Sequence, residues 1–372
     1  MKKKLSAVII FIIILVIPLI SWPIVSRIDQ TSINENRQKA AFPQFGKNFL
    51  RQFDSFFTDN APYRDRLIRS FHNFDQKLDS MYEKILIALN LPYYKEINNT
   101  IIGKENWLFF SGDNSVGYYQ GTNLPSREDL QKYVERAEKV NDYFKSQGKE
   151  FVIFIAPNKE QIYSEYYPNA FNVINQMKCL DTIVKYFEQN STVKIIYPKA
   201  ELINAKQNSQ VYYKQDTHWN QLGGYIGSMS LLDGLRVSKG DVVVTQTTRV
   251  GGDLANMSLL TPIVDVDYDV IYRPEISLEI DSKVNLGYLS SNSNNKNLLL
   301  FGDSFRVAMS TVLSKEFETS IFNHFDTFTP EDIHQKEFDD ANVVVFEAVE
   351  RYESQIFSVF GILQRFIDYY QL

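Results

Sequence analysis

Short, almost wholly apolar runs alternate with helix-length stretches from residue 126 to residue 372, and this alternation restricts the fold more than any other feature of the chain. The runs are "EFVIFIAP" (150–157), "KIIYP" (194–198), "NKNLLLFGDSF" (295–305), "SIFNHFD" (320–326) and "NVVVFEAV" (342–349). Each is rich in β-branched and aromatic residues and too short for a helix, which suits strands buried on both faces. Between them lie "SREDLQKYVERAEKVNDYFKSQGK", "CLDTIVKYFEQN" and "RVAMSTVLSKEF", and the close "ERYESQIFSVFGILQRFIDYYQL" reads as one amphipathic helix. The first of these places Ser126 at an N-cap, Asp129 three residues into the helix and Gly148 at its end. Strands alternating with helices imply an α/β domain with a mostly parallel sheet covered on both faces. Residues 236–295 are richer in β-formers and polar turns, and read as an insertion or as edge hairpins.

The beginning of the chain has another character. Three lysines, Lys2 to Lys4, precede an apolar run from Leu5 to Val25 broken only by Ser6, Pro18, Ser21 and Pro23. A helix needs roughly 20 such residues to cross a bilayer. Lysines before the run and few positive charges just after it predict a cytoplasmic N-terminus and an exported body. A cleaved signal peptide would call for a small-residue A-x-A-like site after the run; without one, an uncleaved signal anchor over 1–27 is expected. Residues 28–100 carry phenylalanines and leucines at three- and four-residue steps (Phe45, Phe49, Phe53, then Leu67, Phe71, Phe74, Leu78) and read as a helical stem that includes His72. The remainder, 101–372, is the expected catalytic domain.

Composition removes several classes of function. A net charge of −6 gives no basic footprint for a nucleic-acid partner. Cys179 is the sole cysteine, so there is no intrachain disulfide and no cysteine-based metal cluster; its helix-periodic surroundings predict a core position.

Two stretches carry chemistry. In open α/β sheets reactive groups collect beyond the carboxyl ends of strands. "LLLFGDSF" ends an apolar strand at Phe301, turns on Gly302 and presents Ser304 as the next helix begins. There a serine is either a nucleophile near helix amides or a simple N-cap. "QDTHW" holds Asp216, His218 and Trp219. If extended, it projects Asp216 and His218 from one face, so that the carboxylate can orient the ring. A satisfied histidine at a strand end is the plainer reading. A metal site lacks further ligands, because His324 falls in a strand and His334 in a polar helix without ligand-like spacing.

"VYYKQDTHWNQLGGYIG" together with "LLLFGDSFRVAM" resembles the AlgJ/AlgX family, SGNH-hydrolase-like proteins of exopolysaccharide O-acetylation. "ENRQKAAFPQF", "FFTDNAPYRDRLI", "GKENWLFF", "FVIFIAPNKEQIYSEYYP", "VGGDLANM" and "VVVFEAVERYE" resemble further family blocks in the same order. The resemblance implies an SGNH-hydrolase-like three-layer α/β/α fold, preceded by the transmembrane helix and stem. It makes Ser304 the nucleophile, His218 the general base and Asp216 its orienting carboxylate. The Ser304 amide is the natural first oxyanion donor, and Gly251, Gly252 or Asn256 are candidates for others, with Asp253 capping a helix or holding that loop. Lys159 and Tyr163 are candidates to line the same crevice or to hold solvated or structural positions, Trp219 is a packing residue or a sugar-facing wall, and Glu350 and Arg351 make helix-start contacts. The implied function is membrane-anchored, extracytoplasmic O-acetyl transfer onto an exopolysaccharide or cell-wall glycopolymer through an acyl-enzyme, without cofactor or metal. A multispanning membrane acyltransferase is the implied acyl donor. The alternatives are a carbohydrate acetyl esterase using the same triad, and a non-catalytic glycan-binding scaffold. The carbohydrate-binding module of some members has no counterpart here, so glycan recognition is expected from the catalytic face, the stem or a partner.

Overall fold

The computed structural model describes residues 94–281, 287–291, 295–325 and 335–372, and Gln52 besides. The transmembrane run, nearly all of the stem with His72, and His334 lie outside the described residues. The chain divides into two compact units, one of Met1–Tyr93 with Ala255–Pro262 and one of Tyr94–Leu254 with Ile263–Leu372. Every described strand belongs to the second. Among the described residues no helix is long and apolar enough to cross a membrane.

The second unit opens with an antiparallel three-stranded sheet, β1 (Lys95–Ile97), β2 (Thr100–Ile102) and β3 (Leu108–Phe110). Asn98 and Asn99, both left-handed, make the tight turn between the first two. Helix α1 (Ser115–Gln120) and the long α2 (Arg127–Ser146) lead to β4 (Glu150–Ala156). Helix α2 starts and stops where the sequence predicts. Ser126 and Asp129 form a reciprocal capping box, and Gly148 takes the left-handed conformation just beyond the last turn.

After β4 come α3 (Lys159–Ile162), α4 (Cys179–Asn190), β5 (Lys194–Ile196), α5 (Lys199–Ala205) and α6 (Gln221–Gly234). A hairpin of β6 (Val242–Val250) and β7 (Val264–Tyr272) stands apart from the main sheet, with α7 (Asp253–Ser258) between its strands. Strands β8 (Leu278–Asp281), β9 (Gly287–Ser290), β10 (Asn297–Gly302), β11 (Thr319–His324) and β12 (Val343–Val349) come next, with α8 (Arg306–Glu316) and α9 (Gln335–Asp340) among them. The main sheet runs β5-β4-β12-β10-β11-β9-β8. Its first five strands are parallel, and β9 and β8 add an antiparallel edge. Both hairpins fall within the 236–295 segment that reads as an insertion or edge hairpins.

The continuous apolar runs have a direct cause: both faces of the parallel strands are buried. Val152, Phe154, Leu298, Leu300 and Val345 pack with Trp219, Leu231, Met309 and Leu313 on one face. Phe151, Ile153, Leu299, Val344 and Phe346 pack with Phe144, Ile183, Phe187 and Phe366 on the other. Residues alternate between the two cores with the period of two that strands impose, giving helix, sheet and helix layers. Each fully buried side chain of this kind contributes roughly 1.5–3 kcal/mol. Cys179 is buried in the second core, as its periodicity predicts.

The closing stretch is not one helix. A 3₁₀ turn over Glu350–Tyr352 is followed by α10 (Ser354–Phe357), a break, and α11 (Ile362–Tyr370). Gly361 sits in extended conformation at the break, where a Cβ would stand 2.6 Å from the carbonyl oxygen of Ile356. After the break α11 lies against α2, with Phe366 on Tyr143 and Phe144.

Candidate active site

Strand β10 ends at Gly302, packed so closely on Glu347 of β12 that any side chain there would overlap the carboxylate. Buried Asp303 fixes the next turn: one carboxylate oxygen accepts from the Phe305 amide at 2.8 Å, the other from the Val349 amide at 2.6 Å. Glu347 is itself fully buried, and burial together with the neighbouring Asp303 pushes its carboxyl well above the usual range. Ser304 lies exposed at the tip of this turn. It does not cap α8, which begins without a side-chain cap; its hydroxyl points instead to His218 Nε2, 2.7 Å away.

The histidine arrives by a different route from the one its spacing suggests. Residues 214–218 are not extended but form a compact turn, closed by an isolated bridge between Tyr212 and Trp219. Asp216 folds back within this turn: its Oδ1 accepts from both the backbone amide of His218, at 3.1 Å, and the ring Nδ1, at 2.6 Å. The pairing expected from one face of a strand is therefore made by an Asx-type turn, which brings carboxylate and ring closer than alternate strand positions can. With Asp216 ionised, Nδ1 carries the ring proton and Nε2 is left to accept from Ser304.

Arg249 and Thr217, which the sequence does not single out, and Asp253, expected to cap a helix or hold its loop, complete the carboxylate's surroundings. Arg249, near the end of β6, donates from Nη2 to Asp216 Oδ2 at 2.8 Å while its guanidinium lies over the Tyr213 ring. Asp253 receives the Thr217 amide at 2.7 Å and the Thr217 hydroxyl at 2.5 Å, and so holds its loop against the turn. Thr217 Oγ1 also lies 3.1 Å from His218 Nδ1. Burial opposes the charge of Asp216, but the hydrogen bonds and charge of His218 and the Arg249 guanidinium together outweigh it and hold the carboxyl well below its usual range. For Asp253 burial wins, reinforced by the charge of Asp216, and its carboxyl is raised. Asp216, His218 and Asp253 are close enough to offer ligand atoms to one cation, but Arg249 already occupies Asp216 Oδ2. A buried carboxylate wants a cation beside it, and that need was the available signal for Arg249.

The other candidates stand behind the site. Lys159 is buried, and its ammonium donates to the carbonyls of Tyr213 (3.1 Å), Lys214 (3.2 Å) and Asp216 (2.7 Å). It ties the turn from beneath instead of lining a crevice. Burial lowers its pKa to about 8, against the pull of the Asp253 and Asp216 carboxylates. The Tyr163 ring stacks on Trp107 in the core, and its hydroxyl accepts from the Val211 amide. Trp219 is buried too, donating to the Phe305 carbonyl at 3.2 Å, so it is packing and not a sugar-facing wall. Gly252 lets its backbone pass the Asp216 turn, where a Cβ would stand 2.6 Å from that of Asp216. Gly251 is left-handed, and Asn256 belongs to the other compact unit. The Glu350 carboxylate accepts from the Asn158 amide, and the Arg351 amide donates to Asn158 Oδ1, both beyond the end of β12.

Residues 100–327, more than half the chain, match the family model described as the SGNH hydrolase-like domain of acetyltransferase AlgX. The chain belongs to this AlgX-type family. Its helix–sheet–helix sandwich is accordingly an SGNH-hydrolase-like fold, with Ser304 and His218 at the carboxyl rim. A relative, the probable alginate O-acetylase AlgJ of Pseudomonas putida, is 25% identical over 174 residues, which are 44% of this chain and 43% of that protein. The match therefore spans less than half the length of that relative. The solved O-acetyltransferase domain of Pseudomonas putida AlgJ is 17% identical, with a TM-score of 0.49 over 74% of this chain and 99% of the other. A DHHW family protein from Eubacterium siraeum is 15% identical, with a TM-score of 0.49 over 69% of this chain and 92% of its own.

Proposed function

We propose that the chain is a membrane-anchored, extracytoplasmic O-acetyltransferase acting on an exopolysaccharide or cell-wall glycopolymer, with Ser304 as nucleophile, His218 as general base and Asp216 as the group that orients it. The observation that carries this reading is the unbroken hydrogen-bonded series Ser304–His218–Asp216, at 2.7 and 2.6 Å, with the nucleophile on the exposed rim. Membership of an acetyltransferase family supports the acyl group. The lysine-flanked apolar run at residues 5–25 supports the anchor and the export of the body.

In the first half-reaction His218 Nε2 takes the Ser304 proton as Oγ attacks the acetyl carbonyl of the donor. The carbon–oxygen bond to the donor breaks, and the imidazolium protonates the leaving oxygen. In the second, Nε2 takes the proton of a sugar hydroxyl, whose oxygen attacks the acetyl-Ser304 ester. Ser304 Oγ then leaves and recovers the proton. The Ser304 backbone amide serves the oxyanion. A multispanning membrane acyltransferase is the partner that would deliver acetyl groups across the bilayer.

The exposure of Ser304 favours a second reading, hydrolysis, since water reaches the same ester. To separate the two, the full-length protein in detergent is given an activated acetyl ester with and without oligosaccharide. Transfer predicts acetylated sugar; acetate alone with every acceptor predicts an esterase. Ser304→Ala is expected to lower either activity by about 10³-fold or more, and full activity in that variant would remove the nucleophile assignment.

A further inference from the structure

The β6–β7 ribbon leaves one strand edge open. The Gly251 amide donates to the Ile263 carbonyl and the Arg273 amide to the Asp241 carbonyl, just outside the two ends of the ladder. The pairing runs unbroken from Val242 opposite Tyr272 to Val250 opposite Val264, so the odd-numbered residues of β6 turn their backbone groups to β7. The N–H and C=O groups of Val242, Val244, Gln246 and Thr248 turn the other way, and no other described backbone bonds to them. Val243 and Val244 are each 37% exposed, with Thr245, Gln246 and Thr248 exposed beside them.

Open edges invite pairing with another chain, and folded proteins blunt them with lysine, proline, bulges, charge or short strands. Other described edges are blunted in this way. Strand β8 has four residues and bears Glu279 and Asp281; β5 has three and bears Lys194. Strand β7 carries Asp265, Asp267 and Asp269, and Asp267 accepts from the Tyr213 hydroxyl and the Gln221 amide. Strand β6 spans nine residues, and from Val242 to Thr248 it has no charge, proline or bulge. It is also complementary to itself. Antiparallel pairing centred on Thr245 sets Val242 opposite the partner's Thr248 and Val244 opposite the partner's Gln246, as hydrogen-bonded pairs. Val243 then faces the partner's Thr247, a favourable β-branched pair. The next pair outward is exposed Asp241 with the partner's Arg249, opposite charges at both ends. Centring on Gln246 would instead set Val243 against Arg249 and Asp241 against Gly251, so charge selects the first register. Arg249 is the residue that donates to Asp216, so the partner's Asp241 meets the cation that holds the triad carboxylate.

We propose that β6 pairs with β6 of a second copy of this chain about a two-fold axis at Thr245, forming a four-stranded antiparallel sheet across a dimer. Cys179 is the sole cysteine and is buried, so a cysteine introduced on the surface is the thiol open to cross-linking. The full-length protein in detergent is treated with copper–phenanthroline. Thr245→Cys is expected to give a disulfide-linked dimer at least about tenfold faster than Ile280→Cys, which is 73% exposed on the edge of β8. Val243→Cys and Thr247→Cys are expected to link when the two are mixed and left to exchange, and not alone. Val244→Pro deletes an outward N–H and none that serves β7, and is expected to weaken the dimer at least about tenfold in sedimentation equilibrium. Cross-linking at 245 no faster than at 280 overturns the pairing. So does a wild-type monomer at micromolar concentration, or a dimer that Val244→Pro leaves intact.

Discussion

Four donors converge on the buried carboxylate of Asp216: the His218 amide and ring Nδ1, the Arg249 guanidinium and, at 3.3 Å, the Asp253 amide. A carboxylate so placed is ionised far below its ordinary range, and the stability it lends is present above that range and lost as pH falls through the depressed value. Arg249→Gln removes one cause of the depression and moves the loss to higher pH. The acid loss of stability, followed in denaturant melts below about pH 4, is therefore expected to set in at higher pH in the variant than in the wild type. Lys159 is the second residue on which the turn depends. Lys159→Met leaves three carbonyls without their donor and is expected to cost about 3 kcal/mol in denaturant melts. The downfield NMR signal of the His218 Nδ1 proton should weaken with it; an unchanged signal would show that the turn holds without the lysine.

At the level of elements, the Ser304 strand-turn and the Asp216–His218 turn meet because two helices behind them pack with almost no space between. Gly224 of α6 faces Ala308 of α8, where a Cβ on the glycine would stand 2.5 Å from that of the alanine. Gly224→Ala is expected to cost about 1–3 kcal/mol by overpacking, with kcat reduced as the two turns separate. Adding Ala308→Gly should recover much of the packing loss, the helix propensity lost at 308 offsetting that gained at 224, so thermal melts are expected to place the double variant between the single variant and the wild type. The β6–β7 hairpin has its own part. Besides Arg249, it brings Asp265 to the Lys214 amide and Asp267 to the Tyr213 hydroxyl, so an insertion outside the main sheet grips the turn that bears the histidine. Its sequence shows the strands but not this grip, because nothing in a run of alternating residues names the distant backbone it will meet.

For the molecule as a whole, buried carboxyl groups at the carboxyl end of the sheet set the pH dependence of stability. Burial raises Glu160 to about 7 and Glu350 to about 8, while Glu353 lies near 7. Folded, these groups hold protons that the unfolded chain releases above about 4.5, so their contribution is full below that pH and lost as pH rises through 7 to 8. Lys159 acts in the opposite sense at higher pH: lowered to about 8, it adds stability as pH rises from there toward the ordinary lysine value. The melting temperature is therefore expected to decline from pH 5 to pH 8, and Glu160→Gln/Glu350→Gln to flatten the decline. A wild-type melting temperature that rises over this interval would contradict the assignment.

The sequence by itself determined the α/β class, the parallel strands buried on both faces, the capped helix after Ser126, and Ser304, His218 and Asp216 as the residues to watch. Those are properties of local pattern: apolar runs report burial, caps report helix ends, and a serine after strand and glycine reports a rim position. The tertiary structure decided the rest. It turned the Asp-x-His pair from an extended face into a tight turn, sent Lys159, Tyr163 and Trp219 into the interior, broke the closing helix at Gly361 and brought in Arg249 and Thr217. Each of these depends on a contact between residues far apart in the chain. A lysine after a strand reads the same whether it faces solvent or three buried carbonyls, and only the packing of the Asp216 turn above it determines which.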